Sequence, residues 1–547
     1  MDNTQETTII QETEPCTCTE PVFDMPGSDM TRPSKVDTAA DILRAAFILI
    51  MGLVYCRYAR SSFGSVPVFF AALTCFAGAF VLAKQLLCLR LGPFDRHKIE
   101  ILDLCSVIVL SVLYILHLVF YKTSDGFLAE LLASLTAILF TLILYSIAPK
   151  LVRCFSGRTA YDFGVRANKV NRFWLVVLIA LGIRVVTAFL GILIYSLARD
   201  CSSNLLKAWQ EAWMKGNTDC NHYLNIAENW YTATGDDKLL IVFFPLFPLL
   251  IRLANFAIHN SFISAQLLNT IFSCFAAGLF YKTLRLDLPE RKAFLGAIVF
   301  LLMPGAVFMN SAMSEPLFAL LLCCFFLFMR KREYLFAGIF AALAGFTRSV
   351  GVLLTVPLGV CIVGDFVGRA KKHELKASFI IESICSLITS VFGTLGYLLI
   401  NKVVTGNALM FLEYQESHWN QSIGYFFNTP RYMWNYSLVW LERGKLRTAL
   451  VLGYITILSC FLSLEIYLKK ARELPVSYLV FFIFYFVIAM GCTWLLSAVR
   501  YLSVLLPLIA AIALIPKKRS GEITLVGIMG IIHLGYLVLY MLRMDVY

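Results

Sequence analysis

Phe173-Trp-Leu-Val-Val-Leu-Ile-Ala-Leu-Gly-Ile-Arg-Val-Val-Thr-Ala-Phe-Leu-Gly-Ile-Leu-Ile-Tyr-Ser-Leu-Ala198 is an apolar run longer than the about 20 residues a helix needs to cross a bilayer core. What flanks it sets its direction. Before it, residues 150–172 carry Lys150, Arg153, Arg158, Arg166, Lys169 and Arg172 against one acid, Asp162, as a cytoplasmic linker does. After it, residues 199–239 carry Asp200, Glu211, Asp219, Glu228, Asp236 and Asp237, and therefore face outward.

Runs of the same kind recur along the chain, near 41–57, 66–88, 101–121, 127–148, 173–198, 261–282, 292–309, 314–330, 334–346, 350–367, 377–402, 447–468, 475–495, 500–516 and 522–541. By length this predicts about fifteen spans. Composition agrees: the 547 residues are 59% hydrophobic and only 15% charged, with mean hydropathy +0.75, whereas soluble domains are about one-quarter charged. The expected fold class is all-α, a polytopic membrane protein. The net charge of +12 sits in short Lys and Arg clusters between apolar runs, so it points to membrane topology and to no nucleic-acid partner.

One segment, Ile241 to Arg252, is apolar enough to cross. If it did, Lys282, Arg285, Arg291 and Lys292 would lie outside and every later basic cluster would invert. It is therefore laid along the outer surface, where its two prolines and Arg252 are tolerated. The layout that follows has an acidic tail at 1–40 without a signal peptide, expected to be disordered. A four-helix block at 41–149 shows no polar motif, the basic linker spans 150–172, and a larger membrane block occupies 173–547. Most of the 16 cysteines lie in apolar runs. Cys201 and Cys220 bracket the outer loop, and a bridge between them is left open.

The outer segments hold the residues capable of chemistry. From Asn221 to Tyr231 a helical reading puts Tyr223, Ile226, Ala227 and Trp230 on one stripe and His222, Asn225 and Glu228 on the other, the pattern of an interfacial helix. Asp219 precedes it, as an N-cap or as a general base on a sugar hydroxyl. His222 binds a phosphate or hydroxyl, or stands in water; it has no partner at zinc-ligand spacing. Glu228 bonds a sugar or lies on the solvated face. Glu315, in Met309-Asn-Ser-Ala-Met-Ser-Glu-Pro316, marks a functional site or a helix start. Arg348, in Gly345-Phe-Thr-Arg-Ser-Val-Gly351, interrupts two short apolar runs and requires an anion: a lipid-linked phosphate, Glu315 or a headgroup. Arg500, beside Tyr501, is a second phosphate ligand or an interfacial anchor. Glu413, Gln415, His418 and Trp419 combine hydrogen-bonding groups with an aromatic face, as sugar sites and interfacial helices both do.

Together, Asp219-Cys-Asn-His-Tyr-Leu-Asn-Ile-Ala-Glu228, Phe243-Phe-Pro-Leu-Phe-Pro-Leu-Leu-Ile-Arg252, Met313-Ser-Glu315, Thr347-Arg348, Gly406-Asn-Ala-Leu409 with His418-Trp419, and Arg500-Tyr501 resemble, in order and spacing, the PIG-V type. This is the GPI mannosyltransferase II family and its bacterial relatives, among the GT-C glycosyltransferases. The resemblance covers about residues 173–541. Thr218 stands where the family usually has Trp, Trp230 where it has Gly, and the helices before residue 150 fall outside the family core.

The resemblance implies inverting transfer of mannose from a polyprenyl-phosphate-mannose donor to a glycolipid or glycan acceptor on the non-cytoplasmic face, with no metal or other cofactor. The membrane is a bacterial plasma membrane or the endoplasmic reticulum. Asp219 takes the place of the catalytic base, and His222, Glu228, Glu315, Arg348, Glu413, His418, Arg500 and Tyr501 are the candidate substrate ligands. A transporter or flippase of a lipid-linked sugar is the alternative. It would place its charges at mid-membrane in matching half-repeats, which this sequence does not show.

Overall fold

The computed structural model describes residues 35–63, 126–157, 171–214, 219–493, 495–544 and 546. Among these the fold is all-helical, with one isolated bridge, Ile423 to Cys492, in place of any strand. The helices used below are α1 (Lys35–Phe63), α2 (Phe127–Phe155), α3 (Phe173–Ala198), α4 (Leu205–Trp213), α5 (Asp219–Asn229), α6 (Leu246–Ile258), α7 (Ser261–Leu284), α8 (Glu290–Leu302), α9 (Glu315–Arg330), α10 (Tyr334–Thr347), α11 (Thr355–Lys371), α12 (Ala377–Thr405), α13 (Met410–Ser417), α14 (Thr429–Glu442), α15 (Ile455–Lys470), α16 (Val476–Ala489), α17 (Ala498–Ser503), α18 (Leu506–Ala513) and α19 (Arg519–Met541).

Among the described residues eight helices are long and apolar enough to cross a membrane, or ten if two bent pairs each count as one span. The chain is a polytopic integral membrane protein, and the expected count of about fifteen is not confirmed among the described residues. Two expected spans, 66–88 and 101–121, lie outside the described residues. Others are broken. The run 292–309 turns by 69° between α8 and the 3-10 helix Pro304–Asn310, and 500–516 divides into α17 and α18. α10 and α16, at 14 residues each, rise only about 21 Å, short of a hydrocarbon core of about 30 Å. Non-helical backbone at such depth is tolerated where protein surrounds it, and these breaks sit among buried groups. The segment from Ile241 to Arg252 does not run straight either: Asp236–Val242 and α6 meet at 110°, and Arg252 is exposed.

α3 begins and ends where the sequence places it, and its faces show why. Val176, Ala180, Arg184, Thr187 and Gly191, spaced at three and four residues, are buried, while Leu178, Val185, Val186 and Phe189 are exposed. A stripe turned to protein and leucines turned outward is the arrangement for a helix with lipid on one side. α10 and α12 cross at backbone contact. A Cβ on Gly393 would lie 1.7 Å from the carbonyl oxygen of Ala342, and one on Gly338 would lie 2.5 Å from that of Ser386. Small residues at such crossings let helices approach closely in lipid, and here they set the end of α10, which carries Arg348.

Residues 35–40, expected within the disordered tail, form the first turns of α1, and 150–155 of the expected linker complete α2. α2 packs on α11, α14 and α15. The first block is not free of polar structure. Glu130 Oε1 lies 2.8 Å from Arg431 Nε, Arg431 Nη1 donates to the Tyr58 hydroxyl at 2.8 Å, and that hydroxyl lies 3.1 Å from Asn428 Oδ1. A carboxylate with no exposed surface requires such partners. This group joins α1 and α2 to the segment that begins α14.

Candidate functional site

α5 opens at Asp219 and packs on α6 and α7. Its buried face is Cys220, Tyr223, Leu224, Ile226 and Ala227; of these Tyr223, Ile226 and Ala227 belong to the stripe read from the sequence, whose fourth member, Trp230, lies beyond the helix end. Tyr223 anchors it: the ring meets Phe243 and Phe247 edge-on at 5.3 and 5.4 Å, and the hydroxyl lies 2.9 Å from Ser314 Oγ. Ser314 belongs to the turn before α9. Asn269 of α7 fixes that turn by donating to the carbonyls of Ser311 and Met313 at 2.5 and 3.0 Å, and Glu315 follows at the start of α9.

Four charged residues, far apart in sequence, meet at this point. Arg500 Nη1 lies 2.7 Å from Asp219 Oδ2 and its Nε 3.2 Å from Glu315 Oε1. Arg348 Nη1 reaches the same Glu315 oxygen at 2.5 Å and donates to Ser314 Oγ at 3.3 Å. The order is Asp219, Arg500, Glu315, Arg348, alternating in sign and summing to zero. Both guanidinium carbons lie near the Tyr501 ring, at 5.4 and 5.5 Å, and the Tyr485 hydroxyl holds the Tyr501 carbonyl at 2.9 Å. Side-chain exposure falls from 31% for Asp219 and 15% for Arg348 to 8% for Arg500 and 2% for Glu315. The chain of charges is thus buried at Glu315 and open at Asp219. Glu315 Oε2 is buried with no hydrogen-bond partner among the described residues.

Behind Arg500 stands the 3-10 helix Pro304–Asn310, with the Phe308 ring 5.7 Å from the guanidinium carbon and Gly305 against the backbone of Val499 and Arg500. Arg184 of α3 holds this element. Its guanidinium donates to the carbonyls of Ala306 and Leu301 at 2.7 and 3.1 Å and to Asn310 Oδ1 at 2.9 Å. It therefore caps the carbonyl end of α8, where a helix favours positive charge. Arg184 and Asn269 were missed by sequence reasoning. Their only signal was a polar side chain inside an apolar run.

At the open end, the His222 ring faces Phe243 at 5.0 Å, Phe243 meets Trp419 at 6.2 Å, and Trp419 meets His418 at 4.5 Å. Burial pushes the His222 pKa below its usual 6.5, against the pull of Asp219 and Asp237 and with the help of His418. The ring is neutral at pH 7 and offers a hydrogen bond rather than a charge. Two candidates stand apart from this group. Glu228 is exposed on α5 with no side-chain partner among the described residues, and Glu413 is exposed on α13, where it accepts from Asn407 at 2.6 Å. Cys201 and Cys220 are not joined in a disulfide. Among the described residues no group of three or more His, Cys, Asp and Glu is placed to hold a metal ion.

The arrangement offers two guanidinium groups to an anion beside a partly exposed carboxylate, under an aromatic and imidazole wall. No family model, curated protein or solved structure matches the chain.

Proposed function

We propose that this chain is a membrane mannosyltransferase of the PIG-V-like GT-C type, moving mannose from a polyprenyl-phosphate-mannose donor to a glycolipid or glycan acceptor on the non-cytoplasmic face. One observation carries the reading: Asp219, Arg500, Glu315 and Arg348 form a continuous chain of charge whose exposed end is Asp219. A polyprenyl phosphate is an adequate leaving group when its charge is neutralised, and guanidinium groups do this with fixed charge in bidentate geometry.

In the reaction, the acceptor hydroxyl oxygen bonds to the anomeric carbon as the bond from that carbon to the phosphate oxygen breaks. The bonding electrons leave with polyprenyl phosphate, held by Arg500 and Arg348, and the hydroxyl proton passes to Asp219. Attack from the face opposite the phosphate inverts the configuration. Neutral His222, with Phe243 and Trp419, lines the side from which the sugar approaches, and aromatic faces suit the apolar face of a sugar ring. The chemistry requires no metal. The setting is a bacterial plasma membrane or the endoplasmic reticulum.

The test is incubation of the purified protein with labelled polyprenyl-phosphate-mannose and candidate glycolipid acceptors. Label should move to an acceptor, and Asp219→Asn should abolish the transfer. Recovery of free mannose alone, or of no product with any acceptor, would refute the reading. Translocation of the donor undiminished by Asp219→Asn would identify a flippase instead.

A further inference from the structure

Arg500 meets a carboxylate on two sides before any substrate arrives. A guanidinium grips a phosphate through one of two double edges, Nε with Nη2 or Nη1 with Nη2. On Arg500 each edge has a corner blocked: Nη1 donates to Asp219 Oδ2 at 2.7 Å, and Nε, buried and without the alignment of a hydrogen bond, has the Glu315 carboxylate against it at 3.2 Å. A bidentate phosphate must therefore displace one of the two carboxylates.

They are not equally free to move. Glu315 is 2% exposed and is held from the other side by Arg348. Asp219 is 31% exposed and is joined to this cluster by the Arg500 contact. The charge sum points the same way. The four residues are neutral together, so a bound phosphate adds an uncompensated negative charge unless a carboxylate with access to water turns outward.

We propose that the donor phosphate takes the place of Asp219 on Arg500, so that binding of the donor is what frees Asp219 for the acceptor hydroxyl, and the substrates enter in a fixed order, donor first. This rests on the transferase reading above and adds to it a sequence of events. No covalent step is involved. One ion pair is exchanged for another, and Asp219 Oδ2, until then occupied by the guanidinium, turns to the acceptor.

The experiment measures binding of farnesyl phosphate, an isoprenyl phosphate without a sugar, to the purified full-length protein in detergent, for wild type, Asp219→Asn, Asp237→Asn and Arg500→Gln. Asp237 is a nearby acid that accepts from Asn225 at 3.1 Å and pairs with no arginine of the cluster. A competing charge-assisted bond on a partly exposed group is worth about tenfold in affinity. Asp219→Asn should thus bind farnesyl phosphate about tenfold more tightly than wild type, Asp237→Asn within about twofold of wild type, and Arg500→Gln more weakly.

If wild type binds and Asp219→Asn binds no better, the exchange is wrong while the anion site stands. An equal gain from Asp219→Asn and Asp237→Asn also overturns it, since general charge would then explain the effect. If neither wild type nor Asp219→Asn binds, the anion site and the transferase reading fall together. Size-exclusion profiles of the variants separate loss of binding from loss of fold.

Discussion

Replacing Glu315 with Gln keeps the shape of the site and removes the one charge that lies between two arginines. In the wild type its Oε1 serves Arg348 at 2.5 Å and Arg500 at 3.2 Å, with 2% of the side chain exposed. Removing one member of a buried ion pair costs about 3–5 kcal/mol, because the remaining charge stays desolvated without compensation. Arg500 retains Asp219 and Arg348 retains Ser314, so the expectation lies at the lower end, about 3 kcal/mol. With an unfolding entropy of about 2.1 cal/mol/K per residue over 547 residues, this is a fall of roughly 3 °C in the unfolding midpoint.

The midpoint is read with a thiol-reactive dye in detergent, because Cys274, Cys323, Cys361 and Cys460 are buried and react only once the fold opens. Farnesyl phosphate should raise the midpoint of Glu315→Gln more than that of wild type, since it supplies the missing anion. Glu413→Gln, at an exposed position, should leave the midpoint unchanged. A Glu315→Gln midpoint within about 1 °C of wild type, or no greater response to the phosphate, would show that Glu315 does not hold the two guanidinium groups together.

Gly393→Val should prevent α10 and α12 from closing, because the first side-chain atom would lie 1.7 Å from the Ala342 carbonyl oxygen; Gly527→Ala, where the added atom meets nothing within 4 Å, should be neutral, and size-exclusion profiles distinguish the two. The lowered His222 pKa has a definite sign. An imidazole held below its unfolded value binds fewer protons folded than unfolded, so its stabilisation is complete above the usual 6.5 and declines as pH falls from there toward the folded value. His222→Asn should therefore flatten the loss of thermal stability between about pH 7 and 5.5, and an unchanged slope would contradict the burial of the ring.

The sequence showed the long spans clearly. The limits of α3 agree with expectation at both ends because basic and acidic segments flank an uninterrupted apolar run. It also marked Asp219, Glu315, Arg348 and Arg500 one by one, since charge beside hydrocarbon is conspicuous, and the structure brings these four together. That Arg348 pairs with Glu315 was one of its open readings; that both arginines share one oxygen was not visible. The breaks were hidden as well. Hydropathy cannot distinguish a span facing lipid from α16, a short helix enclosed by protein, nor foresee that Arg184 would take the carbonyls at which α8 stops. Glu228 and Glu413 were chosen for residue type within polar loops, and local composition does not say which way a side chain points. Glu130 went unmarked because its partner Arg431 lies about three hundred residues away.

Arg184 ties α3, a helix long and apolar enough to cross a membrane and with an exposed apolar face, to the element that backs Arg500. A span adjusts its tilt to the thickness of the surrounding hydrocarbon at a cost of fractions of a kcal/mol per ångström, and any such tilt of α3 pulls on the carbonyls that Arg184 grips. Turnover in vesicles of short-chain and long-chain lipids should therefore differ, and Arg184→Met should blunt the difference. The bilayer is then a mechanical participant as well as a solvent: its depth sets the posture of a guanidinium that never touches it.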